Sequence, residues 1–181
     1  APAVAALCAA FLCRSTAVST FALGVRVAGS KADQLANAAQ DLAVAYLPVT
    51  FEFDAKAPVR TALAGAAAAL LVATRRGPLL REVLVRRSDV LSPLAELEPL
   101  VRLCLGPSPQ SVAPGTLTFA IGEQGGLTLA FDRRAVTDTV VANLAARLQV
   151  FARAAAEQPG TALAAVATLD EAELRQLLRV W

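Results

Sequence analysis

The sequence predicts an α/β fold: a mixed or antiparallel sheet with helices packed on one side. Three observations carry that expectation. Strict apolar alternation, the mark of a half-buried strand, occurs at Phe21 to Ala28, at Leu47 to Asp54 and twice between Thr116 and Phe131. Other segments place apolar residues three and four apart, the mark of a helix with one buried face. The two periodicities alternate irregularly and finish with a strand pair followed by two helices, the order of a layered α/β sandwich.

Each element has its own local reason. Ala3 to Arg14 reads as a helix, with Val4, Leu7, Phe11 and Leu12 at helical spacing. In the first strand Phe21, Leu23, Val25 and Val27 point one way and Arg26 the other, and Gly29-Ser30 ends it. Asp33 to Ala43 predicts a short helix. In the second strand Val49, Phe51 and Phe53 share one face, and Pro48 stands near the start, where a missing donor is tolerated. Pro58 opens a long Ala-rich helix to about Thr74, because the absent proline N–H was unpaired there in any case. Gly77-Pro78 stops it, and Leu79 to Arg87 predicts another helix. From Ser88 to Pro114 five prolines leave turns and one short strand, Val101 to Leu105, as a connection rather than a domain boundary.

The hairpin signal comes next. Leu117, Phe119 and Ile121 alternate with polar and small residues, Gly122 to Gly126 turns the chain, and Leu127, Leu129 and Phe131 continue the pattern. A one-residue slip would expose all six apolar side chains, so the register is fixed. Thr137 to Glu157 predicts a helix with the stripe Val140, Leu144, Leu148, Phe151 and Ala155, ended by Pro159-Gly160. In the last helix Asp170 is the N-cap, Glu173 completes a capping box, and Leu169 and Leu174 are spaced as a hydrophobic staple.

Composition narrows the function classes. Of 181 residues, 56% are hydrophobic and only 18% charged, enough apolar surface to exclude disorder. The net charge of +2 is too small to predict a nucleic-acid or membrane partner. Arg75-Arg76, Arg86-Arg87 and Arg133-Arg134 read as solvated turns and helix ends, since no aromatic residues are interleaved with them. Cys8, Cys13 and Cys104 are odd in number and set in apolar surroundings, which predicts buried, reduced thiols in a cytoplasmic protein. No metal site and no cofactor site is predicted, because there is no histidine to join the cysteines. The apolar start, APAVAALCAAFLC, lacks the basic residue of a secretory signal, and the run Ala62 to Ala73 is too short for a bilayer, so both read as buried helices.

The C-terminal stretch carries a more specific signal. Thr168-Leu169-Asp170-Glu171-Ala172-Glu173, followed by Leu177, Leu178 and Trp181, resembles the phrase "L-L-S-x-A-E-x-x-x-L-L-x-x-W" that ends condensation domains of nonribosomal peptide synthetases. Weaker matches precede it in the right order. Gly24-Val25-Arg26-Val27-Ala28-Gly29 resembles "G-x-P-V-A-G-R", with Ser30 in place of the Arg. Tyr46-Leu47-Pro48-Val49 resembles "F-x-N-T-L-P-L-R" without its Asn-Thr. Pro78-Leu79 resembles "P-F-E" without Phe and Glu, and Pro99-Leu100-Val101 resembles "N-P-L-F".

The resemblance implies a single domain over residues 1–181, the C-terminal lobe of a condensation domain, with a chloramphenicol-acetyltransferase-like fold. It implies that the chain ends at the junction to an adenylation domain. The family's catalytic motif, H-H-x-x-x-D-G, belongs to the other lobe, and nothing here matches it. No catalytic residue is therefore predicted. Serine and threonine nucleophiles need an adjacent base, usually histidine, and Asp54, Asp132 and Glu123 read as solvated turn residues. Family members carry a long crossover before the hairpin that reaches onto the other lobe. Here only Cys104 to Gly115 stands in its place, which predicts a naturally shortened lobe.

Three functions fit this picture. The first is a noncatalytic platform for the adjacent adenylation domain, with Leu174, Leu178 and Trp181 at or near the contact. The second is a recruitment module for a carrier protein or tailoring enzyme. An exposed apolar patch would favour recruitment, and a polar surface, with Lys31, Asp33, Gln34, Asn37 and Gln40 as candidates, would favour the platform. The third is half of an acyltransferase completed by another chain that supplies the histidine motif.

Overall fold

The computed structural model describes residues 1–39, 43–75, 100–109 and 111–180. Strands β1 (Thr20–Val27), β2 (Leu47–Glu52), β3 (Val101–Leu105), β4 (Leu117–Ile121) and β5 (Leu127–Phe131) form one sheet in the order β2-β1-β3-β4-β5. The sheet is mixed. β1 pairs antiparallel with β2 and β4 with β5, while β3 runs parallel to both of its neighbours. The short segment expected only as part of a connection is thus the middle strand. Pro48 is accommodated because β2 is an edge strand. The hairpin has the register set by its alternation, with Leu117, Phe119 and Ile121 opposite Phe131, Leu129 and Leu127.

Helices α1 (Pro2–Thr16), α3 (Val59–Arg75) and α4 (Asp138–Glu157) cover one face of this sheet; α2 (Lys31–Ala38) packs at the end of β1, and α5 (Glu171–Val180) follows α4. The odd-numbered strand residues Leu23, Val25, Phe51, Leu103, Phe119 and Ile121 enter the core beneath the helices. α1 is central, packed on α3 and α4. Of the expected stripe only Phe11 is buried, while Val4, Leu7 and Leu12 are half-buried; the other buried residues are Ala5, Ala6, Cys8, Ala9, Ala10 and Cys13, spread over most of the helix circumference. Small side chains let neighbouring helices approach from several sides, so a helix apolar all round can be enclosed. Phe11 meets Phe151 of α4 with ring centroids 5.7 Å apart.

Several expectations need correction. α2 starts earlier than Asp33 and ends at Ala38, because Ser30 is its N-cap and accepts from the Asp33 N–H at 3.1 Å. On α4, Val140 is 55% exposed and Val141 is the buried residue at 7%. At about 100° per residue, Val141 lies within about 20° of Leu148 around the axis and Val140 about 80° away. On α5, Asp170 does cap the Glu173 N–H at 2.7 Å, but the Glu173 carboxylate does not close a capping box; it accepts from Arg147 on α4. Leu174 is exposed, so it does not serve as a buried staple. The helix expected at Leu79 to Arg87, the Gly77-Pro78 stop expected for α3, Gln40 and Trp181 lie outside the described residues.

Candidate functional site

Two surfaces carry the functional question: the outer side of α5 and the sheet face away from the helices. α5 is tied to α4 by Arg147, whose Nε and Nη2 both donate to Glu173 Oε1, at 3.0 and 2.6 Å. Along it, Leu174 is 48% and Leu178 73% exposed. Four residues apart, they share one side of the helix, so the structure places both where another domain could cover them. The structure gives them no contact with the sheet's second face.

That second face is built by the even-numbered strand positions. Alternation puts Arg26 of β1, Arg102 and Cys104 of β3, and Thr118 and Ala120 of β4 on it, and the register sets Gly24 beside Arg102 and Arg26 beside Cys104. It is polar, yet mostly buried: Arg102, Cys104, Thr118 and Ala120 are nearly inaccessible. Residues 107–109 and 111–114 run back past it. The chain leaves β3 through Gly106, at φ +142, where a Cβ would lie 2.4 Å from that of Ala28, so only glycine fits. Cys104 Sγ lies 3.5 Å from the Pro107 carbonyl. The far end is clamped by Asp132, which accepts from the Gly115 N–H at 2.8 Å and the Arg134 N–H at 3.0 Å. These bonds, Gly115's first, hold the Asp132 carboxyl below its ordinary pKa. Asp132, expected as a solvated turn residue, thus fastens this segment to the end of β5. Asp54 keeps the simpler role, accepting from the Lys56 N–H within its turn.

Between the segment and the sheet runs a cleft of about 740 Å³. Its floor includes Arg26, Arg102, Cys104 and Thr118, its wall Pro107, Ser108, Pro109 and Ser111, and its end Tyr46 and Asn37. Arg26 Nε donates to Asp33 Oδ1 at 2.5 Å, and its Nη2 to Asn37 Oδ1 at 3.4 Å; Asp33 also accepts from the Gly29 N–H at 2.9 Å. Burial works against the Arg26 charge, but the Asp33 hydrogen bond and carboxylate outweigh it and its pKa is raised. The Arg102 guanidinium carbon lies over the Tyr46 ring, 4.8 Å from its centroid. Burial, and then Cys104, raise the Tyr46 phenol against the opposing pull of Arg102 and Arg26. Burial also raises the Cys104 thiol. Of the polar residues proposed from sequence, Asp33 and Asn37 therefore meet at Arg26, Gln34 caps the Gly29 carbonyl, and Lys31 points to solvent.

Among the described residues that line the cleft there is neither carboxylate nor imidazole to act as a general base near neutral pH. Cys8, Cys13 and Cys104 are all free and buried, as expected, and burial pushes Cys8 up to about 12. Among the described residues no cluster of acidic, cysteine or histidine groups could hold a metal, and no helix is long and apolar enough to cross a membrane. Of the arginine pairs, Arg133 and Arg134 are exposed, and Arg133 makes only a solvent-exposed ion pair with Asp138 at 3.3 Å. The Arg26–Arg102 pairing was hidden in the sequence. Alternation fixed the face of each, but only the neighbouring of β1 and β3 brings them together.

No family model and no curated protein matches the chain. Solved structures do. The starter condensation domain of rhizomide synthetase matches at a TM-score of 0.60 and 13% identity, covering 93% of this chain and 44% of that one. The first condensation domain of the CDA synthetase matches at 0.59 and 17%, covering 93% and 42%. The first condensation domain of the calcium-dependent antibiotic synthetase, in complex with a substrate analogue, matches at 0.60 and 19%, covering 93% and 41%. The chain therefore has the α/β fold of part of a condensation domain, in agreement with the resemblance read from its sequence. It spans less than half the length of those solved structures.

Proposed function

We propose that this chain is a noncatalytic, condensation-derived lobe of a nonribosomal peptide synthetase and serves as a structural platform for the adjacent adenylation domain. The observation that carries the reading is α5: a helix fixed to α4 by the Arg147–Glu173 pair that turns Leu174 and Leu178 outward. Fixed apolar anchors at the end of a rigid element are what a stable interdomain contact uses. The complete lack of histidine supports the noncatalytic half of the reading. The sheet face left bare by the helices is polar, and the chain's own residues 107–109 and 111–114 line a cleft alongside it. This favours a platform over a recruitment patch, which calls for exposed apolar surface.

The test is to prepare the downstream adenylation domain with and without this lobe and to measure its Tm and adenylation rate. The proposal expects loss of Tm or rate when the lobe is removed. It also expects the pair Leu174→Asp and Leu178→Asp to reproduce that loss without lowering the melting of the isolated lobe, since both side chains are exposed. An adenylation domain indifferent to both changes overturns the platform.

A further inference from the structure

We infer that the free edge of β5 is a self-pairing surface: a second copy of this chain adds its own β5 antiparallel and extends the sheet across a two-fold axis. The inference is independent of the platform role, which uses α5.

Three observations carry it. The first is an open row of backbone groups. β5 is the last strand of the sheet. Its ladder with β4 is unbroken. The Gly122 N–H donates to the Gly126 carbonyl at 2.9 Å, and the Asp132 N–H to the Thr116 carbonyl at 3.1 Å. These bonds set the phase of the ladder, so Thr128 and Ala130 bond β4 while Leu127, Leu129 and Phe131 send both N–H and C=O outward. Among the described residues no backbone hydrogen bond reaches that outer row.

The second is the lack of any guard. Sheet edges are ordinarily blunted by proline, charge or a bulge. The opposite edge obeys this. In β2 the Phe53 N–H donates inward to the Ser19 carbonyl at 2.8 Å, which leaves Pro48, Thr50 and Glu52 as the outward positions. Pro48 has no donor to offer and Glu52 carries charge. β5 reads LTLAF, with neither. It is also the one strand with no buried residue, and Leu127 is 37% exposed.

The third is self-complementarity. A two-fold axis at Leu129 sets Leu129 opposite its copy and Leu127 opposite Phe131 in both directions, so each outward N–H meets an outward C=O. Arg133 and Arg134, exposed just past β5, then come beside the other copy's hairpin tip, which carries the exposed Glu123. On the helix side an apolar groove of about 350 Å³ adjoins the strand, lined by Val4, Leu7, Leu127, Leu129, Leu148 and Ala152 among others. The axis stands perpendicular to the sheet, so the two grooves lie on the same side and join across it. A five-residue edge makes a small interface, which sets the Kd on the order of 10–100 µM.

The experiment is sedimentation velocity of the whole chain from about 5 to about 500 µM, with amide hydrogen exchange at both ends of that range. The expected result is a reversible monomer–dimer equilibrium, with exchange at Leu127, Leu129 and Phe131 slowed by about threefold or more at the high concentration. Leu127→Lys supplies the missing guard at an exposed position and should weaken pairing by about tenfold or more with the monomer's Tm unchanged. Glu123→Arg should weaken it by about threefold, and adding Arg134→Glu should restore it. A chain that stays monomeric overturns the inference and leaves the edge to an extended segment of another protein. A dimer in which these amides exchange freely, a dimer that Leu127→Lys leaves intact, or a charge swap that restores nothing also overturns it.

Discussion

Asp33→Ala is the change that most directly tests how the polar face is held. The Asp33 carboxylate is buried and accepts from Arg26 Nε at 2.5 Å and from the Gly29 N–H at 2.9 Å. Removing it strips Arg26 of its counter-charge and leaves Gly29 without an acceptor at the turn that launches α2. Hydrogen bonds to a charged group contribute about 1.5–3 kcal/mol each, and breaking a buried ion pair on one side costs about 3–5 kcal/mol. The Arg26 side chain is 25% exposed and can recover some hydration, which sets the expected loss at the low end, about 3 kcal/mol. For a chain of this length that is a fall in Tm of about 6–12 °C. Asp33→Asn keeps an oxygen for the Gly29 N–H but loses the charge, and should cost about 1–2 kcal/mol. Urea unfolding followed by circular dichroism measures both, with an unchanged dependence on denaturant confirming that the same surface is exposed. An Asp33→Ala protein within about 0.5 kcal/mol of the parent, or no difference between the two variants, would refute the idea that this carboxylate anchors the face.

Three other outcomes follow from the same structure. Val141→Asp should cost more than about 3 kcal/mol by burying an unpaired charge, while Val140→Asp should stay within about 0.5 kcal/mol; equal losses in urea unfolding would return the buried stripe to Val140. The Asp132 carboxyl is held below its unfolded pKa, so its contribution is present above the ordinary carboxylate range and is lost as pH falls through its folded pKa. Asp132→Asn should flatten that part of the acid stability curve, and a curve superimposable on the parent's would count against the clamp. Cys8 is raised from 9.0 to about 12 by burial, so its contribution is complete below 9.0 and is lost as pH rises from there toward about 12, at about 1.4 kcal/mol per pH unit. The native Cys8 thiol should stay unreactive toward a disulfide reagent at pH 8 and react on unfolding; rapid native labelling of Cys8 would contradict its burial.

Local periodicity and caps determined the parts that depend on near neighbours. The alternation of Leu117 to Phe131 specified both the hairpin and its register, since a slip would have exposed every apolar side chain. Thr137 and Asp170 marked the starts of α4 and α5 because a side-chain oxygen within three residues satisfies an orphan N–H. Tertiary structure decided what depends on residues far apart in the chain. Val101–Leu105 is five residues long, and nothing in it names β1 and β4 as its parallel partners, because parallel pairs are joined by long crossovers that leave no turn signature. α1 showed a stripe, but its burial through Ala5, Ala6, Cys8, Ala9 and Ala10 required α3, α4 and the sheet to arrive together. Arg26 and Arg102 are 76 positions apart in the numbering, and each was legible only as the polar side of its own strand. Strand order, which no local pattern encodes, brought them to one face of the sheet.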